Sequence, residues 1–468
     1  MSDSSNVAGN FLTLGTGEMV SRVIAFGVTI YLARILGAES YGVIAVAAGV
    51  TLYFSKIADF GIEVVGTREI AKFPDSVNHL ASAVLSARLT LSVLLTGFTI
   101  LGAQLFLPEP EKTIMSLYFF SLIPIAASTK WVHLGLENAL PIGLSIIIGE
   151  VLTMGIVLCL VQSCDKLWGV PFAQISGELC IAFLLIMALR QRNYKLGFCW
   201  DMATALPIFV RALPLLSQAI LWLFIYNSDL IFLRFFRDRE SVGYYAAAYT
   251  LICFLANIGF SYGMSLLPAL TRLRSGSAGE KTLYQTALAH TYAVSLPISV
   301  GGCLFASKII NLGFGDGYTN SILALQILIW CIPFSVIRIV PWAGLIARGY
   351  QNILLKTVLY SIIVNIVLNV LLIPRYGIIG AAISTVFTEC LTGILLFKYA
   401  TIHDLPFVSL KRLWRPTVAS LLMTVLLIIL RPSSLLVGFS CGIAVYSLVL
   451  TVLGGIRLRR GQLPVLNI

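Results

Sequence analysis

The sequence GTGEMVSRVIAFGVTIYLARILGAESYGVIAVAAGVTLYFSKIADFGIEVVGTREIAK, residues 15–72, decides the fold of this chain. It contains two long apolar runs joined by a short polar segment. Charged side chains interrupt both runs, at Glu18, Arg22, Lys56, Asp59 and Glu63. A charge at the centre of a membrane-spanning helix costs at least about 2.5–3.5 kcal/mol. These side chains are therefore expected to face protein or water and not lipid.

Part of this stretch is repeated later in the chain. Residues 30–47 align with residues 231–248 at a constant offset of 201, which pairs Glu39 with Glu240 and Gly42 with Gly243. Two further matches follow at similar offsets: Ile123-Pro124 with Ile332-Pro333, and residues 169–176 with residues 377–384. The repeat predicts two homologous lobes of six helices each, in parallel orientation because six is an even number.

The composition identifies the class of protein. Of the 468 residues, 58% are hydrophobic and 11% charged, and the mean hydropathy is +0.93. Soluble domains have about 25% charged residues, so the chain is predicted to be an all-α integral membrane protein. Runs long enough to cross the bilayer need about 20 residues, and the sequence contains about fourteen such runs.

These runs define the predicted domains. Residues 1–197 form the N-lobe with helices one to six, residues 198–405 form the C-lobe with helices seven to twelve, and residues 406–468 form a C-terminal helix pair. The polar start of the chain lacks the features of a cleaved signal peptide, so we expect the first helix to be retained.

The net charge of +11 does not indicate nucleic-acid binding, because the basic residues fall mainly in short loops between apolar runs. Such a distribution is typical of membrane topology and predicts that both termini are cytoplasmic. Arg234, Arg237 and Arg239 form an exception, since they fall in a loop predicted to lie outside.

Cofactors and metal ions are not expected. The nine cysteines include no CxxC pair and lie mostly in apolar runs, so neither a disulfide framework nor a metal site is predicted. The chain also lacks a GxxxxGK[ST] loop, which excludes an ATPase of the P-loop type within it.

Four runs resemble a known family. They are YLARILGAESYG (residues 31–42), DFGIEVVGTREIAK (59–72), NSDLIFLRFFRDRESVGYYAAAY (227–249) and IPRYGIIGAAISTV (373–386). Over residues 11–399 the chain resembles the bacterial polysaccharide and O-antigen flippases, which share a superfamily with multidrug exporters and peptidoglycan-precursor flippases. Within these runs Asp229 matches an acidic position of the seventh helix.

The resemblance implies a V-shaped transporter of the inner membrane that works by alternating access. It implies that undecaprenyl-pyrophosphate-linked oligosaccharide is carried from the cytoplasmic to the periplasmic leaflet. Membrane lipid, a polysaccharide polymerase and a chain-length regulator are the implied partners, and no nucleic acid is expected. Proton or sodium coupling is a further expectation.

A diphosphate cargo needs a hydrated cationic cavity, and arginine suits phosphate through its planar fork of donors. Five basic residues fall within predicted helices, namely Arg22, Lys56, Arg88, Lys130 and Arg338. Together with Glu18 they are the predicted substrate-binding residues, with four of the five cations in the N-lobe.

A structural interpretation of the same charges remains open. Glu18 and Arg22 are four residues apart and Lys56 and Asp59 three, so each pair could neutralise itself on one helical face. For Lys130, with His133 and Glu137 on the same face, anchoring at the membrane interface is the favoured alternative.

Acids near the membrane midplane are candidates for ion coupling, because a carboxylate there can exchange a proton as access alternates. Asp59, Glu63 and Asp229 are the predicted coupling residues. Glu150, Glu178 and Glu389 are further acids within predicted helices. For Asp229 a structural role is an equally supported alternative to ion coupling. In that role it would bond with Asn227 or pair with Arg234.

The duplicated prolines Pro124 and Pro333 predict bends at equivalent places in the two lobes.

Two rival functions make different demands on the sequence. An ion-coupled exporter of cationic drugs would need an acidic, aromatic cavity with few cations. A polysaccharide polymerase would need a sizeable external loop for catalysis, and every loop here is short. Neither rival fits the sequence as well as a flippase, and the chain is not expected to be an enzyme.

Overall fold

The computed structural model describes residues 2–73, 76–406, 410–457 and 465–466. The described residues form nineteen α-helices and one pair of two-residue strands. In chain order the helices are α1 (Ser2–Asp59), α2 (Ile62–Lys72), α3 (Val77–Phe106), α4 (Glu111–Phe119), α5 (Leu122–Ala127), α6 (Lys130–Gly135), α7 (Ala139–Leu160), α8 (Gly169–Gln191), α9 (Met202–Phe236), α10 (Arg239–Arg272), α11 (Ala278–Leu304), α12 (Ala306–Gly313), α13 (Ser321–Leu328), α14 (Cys331–Ile337), α15 (Ile339–Ala347), α16 (Gln351–Tyr376), α17 (Ile378–Ile402), α18 (Leu410–Leu430) and α19 (Leu435–Val452). Strands β1 (Ile456–Arg457) and β2 (Val465–Leu466) pair antiparallel.

The helices are those of a multi-pass membrane protein. In the described part of the chain, thirteen helical stretches have the length and apolar character needed to cross a membrane. The first, Thr13–Lys72, has 60 residues, or about 90 Å at 1.5 Å per residue, about three times the 30 Å hydrocarbon core. It folds at Gly37, whose φ of 71° favours glycine. This stretch thus supplies two crossings, and the predictions of an all-α membrane fold and about fourteen helices are confirmed.

The chain divides into two compact units. Unit 1 comprises Met1–Arg234 and Asp238–Gly243, and unit 2 comprises Phe235–Arg237 and Tyr244–Ile468. In unit 1, α7 packs along α1 and α8, and the buried core surrounds Trp131. In unit 2, α16 packs along α17, α18 packs along α19, and a buried core surrounds Tyr284. The lobe boundary at residue 197 and the V shape stay predictions.

The fourth and tenth crossings are broken at equivalent places. The fourth is divided into α4, α5 and α6, and the tenth into α13, α14 and α15. Pro124 is the third residue of α5, and Pro333 is the third residue of α14. Proline is tolerated in the first turn of a helix, where its missing N–H would have no intrahelical acceptor. The predicted pair of bends at the duplicated prolines is confirmed.

The duplicated glycines meet each other. A methyl group at Gly42 would overlap the Arg239 carbonyl, and one at Gly243 would overlap the Ala38 carbonyl. Ala38 and Arg239 are themselves equivalent in the repeat, 201 residues apart. The start of the second crossing and the start of α10 therefore touch backbone to backbone, as small residues permit in membrane proteins.

The basic cluster that breaks the topology rule is held by specific contacts. In unit 1, Arg234 and Arg239 each lie 2.6 Å from a carboxylate oxygen of Glu111, which is only 3% exposed. In unit 2, Arg237 donates to the carbonyls of Ile373 and Pro374, at the C-terminal end of α16. Carbonyls there carry partial negative charge, so all three arginines have structural partners.

An extended segment between α8 and α9 is bonded along α3. The amides of Lys195, Gly197 and Cys199 donate to side chains of Asn78, Ser82 and Ser86 at 2.9, 3.1 and 2.9 Å. Two extended residues advance about 6.6 Å, and four helical residues advance about 6.0 Å. Every second amide of residues 195–199 therefore lies beside every fourth side chain of α3. This segment, here called the strap, is fixed along α3.

The strap gives a first prediction. Replacing both Ser82 and Ser86 by alanine is expected to lower the free energy of unfolding by about 2 kcal/mol, since each loss leaves a strap amide without its acceptor. Equilibrium unfolding of the detergent-solubilised protein measures this change. Thr90→Val on the same helix is the control, because the Thr90 hydroxyl donates within α3 to the Ser86 carbonyl. Equal stability of the double variant and the control would contradict the assignment.

Candidate functional site

A polar cavity of about 330 Å³ lies within unit 1. Its wall is formed by residues of α1, α2, α3, α5, α6 and α8 and the break between α5 and α6. The lining residues are Ala48, Thr51, Leu52, Ser55, Lys56, Asp59, Glu63, Arg88, Ile125, Ser128, Lys130, Trp131, Gln174 and Glu178. Six of the fourteen are ionisable, which is exceptional for a chain with 11% charged residues.

The break between α1 and α2 brings three of the ionisable residues to this cavity. Lys56 and Asp59 lie in the last turn of α1, and Glu63 lies in the first turn of α2. Gly61 between the helices has a φ of 72°, and a Cβ there would lie 3.1 Å from the Ala212 carbonyl. Glycine therefore permits both the turn and the close approach to α9.

Arg88 is held in the wall of the cavity. Its side chain is 2% exposed and lies 3.0 Å from an oxygen of Asp59. It also donates to the carbonyls of Ser128 at 3.2 Å and Ile125 at 3.5 Å. These carbonyls belong to the end of α5 and the break that follows it. Arg88 therefore joins α3, the end of α1 and the broken fourth crossing.

Lys130 bridges two carboxylates. Its ammonium group lies 3.1 Å from Glu63 and 3.5 Å from Glu18. Glu18 in turn lies 3.9 Å from Arg22, as the structural interpretation of that pair predicts. Glu63, Lys130, Glu18 and Arg22 thus form a chain of alternating charge, of which Glu63 and Lys130 line the cavity.

Lys56 has no ion-pair partner within the described ranges. The alternative prediction that Lys56 and Asp59 neutralise each other is wrong, because Asp59 pairs with Arg88. The ionisable lining residues comprise three bases, Lys56, Arg88 and Lys130, and three acids, Asp59, Glu63 and Glu178. The sequence predicts an excess of positive charge, whereas the cavity wall has as many acids as bases, and its bases Arg88 and Lys130 each pair with an acid.

Gln174, Thr51 and Trp131 are among the lining residues that were not identified from the sequence. Gln174 precedes Glu178 by four residues, so both lie on one face of α8 and contribute polar groups to the wall. Thr51 and Trp131 are buried, and the hydroxyl of Thr51 and the indole N–H of Trp131 find no hydrogen-bond partner in the described structure. The spacing of Gln174 and Glu178 was a detectable signal, but nothing in the sequence marks Thr51.

Interfacial anchoring, the alternative favoured for Lys130, His133 and Glu137, does not hold for all three residues. His133 is 0% exposed, and its Nε2 lies 2.9 Å from the Leu185 carbonyl on α8. Lys130 lines the cavity. The alternative of interfacial anchoring is therefore wrong for His133, because α6 packs against α2 and α8 and buries this side chain within unit 1, whereas for Lys130 it stays a prediction.

Four predicted site residues are not among the residues that line the cavity, namely Glu18, Arg22, Arg338 and Asp229. Arg338 belongs to unit 2, where it is 5% exposed and pairs with Glu389 at 2.8 Å. Ser335 donates to the same carboxylate. Asp229 is 1% exposed on α9 and interacts with Tyr53 of α1. Neither Arg338 nor Asp229 is among the lining residues, so their predicted roles stay predictions.

Unit 2 contains a second cavity of about 430 Å³. Helices α10, α11, α13, α18 and α19 contribute most of its wall, which is almost entirely aliphatic and aromatic. The hydroxyl of Tyr446 donates to the Ala293 carbonyl. The wall carries no Asp, Glu, His, Lys or Arg, and in the described part of the chain no cluster of three His, Cys, Asp or Glu side chains could hold a metal ion. Of these two cavities, the one in unit 1 is therefore the one lined by charged side chains.

Comparison with known proteins identifies the family of this chain. Residues 7–274, more than half of the chain, match the family model described as "Polysaccharide biosynthesis protein". The "Putative O-antigen transporter" of Shigella dysenteriae is 24% identical over 83% of this chain and 98% of its own length.

Solved structures show the same fold. The "Lipid II flippase MurJ, inward closed conformation" aligns with a TM-score of 0.79 at 15% identity, over 94% of this chain and 98% of its own. An inward-facing multidrug resistance transporter of the MATE family aligns with a TM-score of 0.65 at 15% identity, over 84% of this chain and 97% of its own. These likenesses establish a shared arrangement of helices.

Proposed function

The chain belongs to the polysaccharide biosynthesis protein family, and from this membership we propose that it is a flippase for lipid-linked glycans. The cargo is an oligosaccharide on a polyprenyl diphosphate, carried from the cytoplasmic to the periplasmic leaflet of the bacterial inner membrane by alternating access. An O-antigen transporter and a lipid II flippase among the similar proteins support this cargo class.

The observation that carries the proposal is the charged cavity of unit 1. A lipid-linked glycan has a hydrocarbon tail that can stay in lipid, a diphosphate that cannot, and a hydrated sugar chain. A group with about two negative charges crosses the hydrocarbon core only if polar protein groups replace its water. Six ionisable side chains around 330 Å³ within a membrane-spanning unit supply such groups.

The cavity is sized for part of the cargo. Ligand pockets usually have volumes of about 300–1,000 Å³, and 330 Å³ lies at the low end of this range. We assign the cavity to the diphosphate headgroup and not to a whole oligosaccharide. Lys56 is the first contact in this assignment, because its charge is not committed to a carboxylate of the described residues and its side chain is exposed.

Lys56 therefore provides the test of the proposed function. Lys56→Gln is expected to reduce glycan export about tenfold or more, since it removes the uncommitted charge that meets the headgroup. Lys56→Arg should retain most of the export because it keeps the charge. The measurement is the amount of surface glycan in a host that lacks its own flippase and expresses the variant at equal membrane level.

Lys166→Gln is the matched control, because Lys166 is an exposed lysine of unit 1 outside the cavity. Its export should equal that of the unaltered protein. Full export by Lys56→Gln, or equal losses for both glutamine variants, would contradict the assignment of the cavity to the headgroup.

A further inference from the structure

We propose that Glu63 is a resident competitor for the anion site: it occupies Lys130 while the cavity is empty of cargo and is displaced when an anionic headgroup binds. The inference rests on the proposed function, because it needs an anionic cargo. It adds a residue whose carboxylate opposes binding and thereby promotes release of the headgroup from the cavity.

The first step is that the cavity wall has too few cations without a carboxylate partner to balance a diphosphate. Of the three basic lining residues, Arg88 is paired with Asp59 at 3.0 Å, and Lys130 lies 3.1 Å from Glu63. Lys56 alone has no carboxylate partner among the residues that the structure describes. A diphosphate carries about two negative charges, so one lysine cannot balance it. A second cation has to exchange its present partner for the ligand.

The second step identifies which cation can exchange. Arg88 is 2% exposed and also donates to two backbone carbonyls, so freeing it would leave several buried groups without partners. Lys130 is 28% exposed, and Glu63 is 43% exposed. Ion pairs between exposed side chains are weak because water screens them. The Lys130–Glu63 pair is therefore the one that a ligand can break.

The third step identifies which carboxylate loses its cation when the headgroup binds Lys130. Lys130 also contacts Glu18 at 3.5 Å, but Glu18 retains Arg22 at 3.9 Å when Lys130 is withdrawn. For Glu63 the described ion pairs include Lys130 and no other base. Once displaced, its charge lies next to the bound headgroup and repels it. Since Glu63 and the headgroup compete for one cation and carry charges of the same sign, removing Glu63 strengthens anion binding.

The test uses farnesyl diphosphate as the probe and the full chain purified in detergent. Titration calorimetry with farnesyl diphosphate, and with farnesol as the probe lacking the diphosphate, measures the anion-specific part of binding. Glu63→Gln is expected to bind farnesyl diphosphate about tenfold more tightly than the unaltered chain, with unchanged farnesol binding. Glu63→Ala, which removes the carboxylate by a different change, should show the same gain.

A double substitution separates competition from a structural role. In a chain that carries Lys130→Met, the further change Glu63→Gln should give a much smaller gain in affinity, because the competition for Lys130 is gone and only the repulsion between Glu63 and the headgroup is relieved. Glycan export by Glu63→Gln should fall, since tighter binding slows release.

The outcomes distinguish this inference from the proposed function. Equal or weaker binding of farnesyl diphosphate by both Glu63 variants, with clear binding by the unaltered chain, would overturn the competitor role alone. A gain that is undiminished in the Lys130→Met background would overturn it too. If the unaltered chain binds farnesyl diphosphate no better than farnesol, the anion site itself is refuted and the proposed function falls with it.

Discussion

Arg88→Met is expected to lower the free energy of unfolding of unit 1 by about 3 kcal/mol, the low end of the cost of removing one partner of a buried ion pair, since Asp59 is 22% exposed. The guanidinium group is 2% exposed and contacts Asp59, and it donates to the Ser128 and Ile125 carbonyls. Its loss leaves a charge and two carbonyls in the wall without their donor. Export should be lost together with stability.

Stability is measured by unfolding the detergent-solubilised protein, with export measured in parallel. Arg88→Lys should recover part of both, because lysine restores the charge but not the planar fork of donors. The double variant Arg88→Met with Asp59→Asn should be less unstable than Arg88→Met alone, since it removes the orphaned carboxylate.

Arg22→Met is the matched control. Arg22 pairs with Glu18 at 3.9 Å with both side chains 45% exposed, and exposed pairs contribute at most about 1 kcal/mol. If an Arg88 variant kept its stability but lost export, Arg88 would instead be a residue that contacts cargo, as the sequence predicts.

Gly243→Ala is expected to have the second large effect, about 3 kcal/mol or more. The added methyl group would overlap the Ala38 carbonyl, and a backbone group cannot move aside as a side-chain tip can. Overpacking usually costs about 1–3 kcal/mol, and this contact belongs at the upper end. Gly42→Ala should cost a similar amount, because it meets the Arg239 carbonyl in the equivalent contact.

The yield of folded protein and its unfolding midpoint in detergent measure this effect. Gly97→Ala is the control, since a Cβ at Gly97 has no neighbour within 4 Å and alanine favours the helix. If alanine at positions 42, 243 and 97 were equally tolerated, the close crossing would be refuted. The two glycine variants combined should cost less than the sum of their separate effects, because either one already separates the helices.

Much of the fold could be predicted from the sequence. Helix positions follow from apolar runs of about 20 residues, and the turn at Gly37 falls between two such runs. The duplicated Pro124 and Pro333 indicated the breaks in the fourth and tenth crossings. The strap could not be predicted, because its bonds join Lys195 to Asn78 over more than a hundred residues and polar side chains at helical spacing have many other uses.

The site was predicted in part. The sequence identified Lys56, Arg88 and Lys130 as basic residues within membrane helices, and the structure brings all three to one cavity. Their partners could not be assigned, since Asp59 has Lys56 three residues away in sequence but pairs with Arg88 on another helix. Helical spacing describes one helix at a time, and the pairing depends on how α1 and α3 pack.

The crossing of Gly42 and Gly243 has an evolutionary consequence. Gly42 touches Arg239 while Gly243 touches Ala38, and each member of one contact is the repeat partner of a member of the other. Two-fold symmetric dimers contain such contacts, in which residue i meets residue j and j meets i. Duplication and fusion of a half-length chain that paired with a second copy of itself through this glycine would leave this arrangement of contacts. The present chain then needs glycine at two positions, where a symmetric dimer would need it at one.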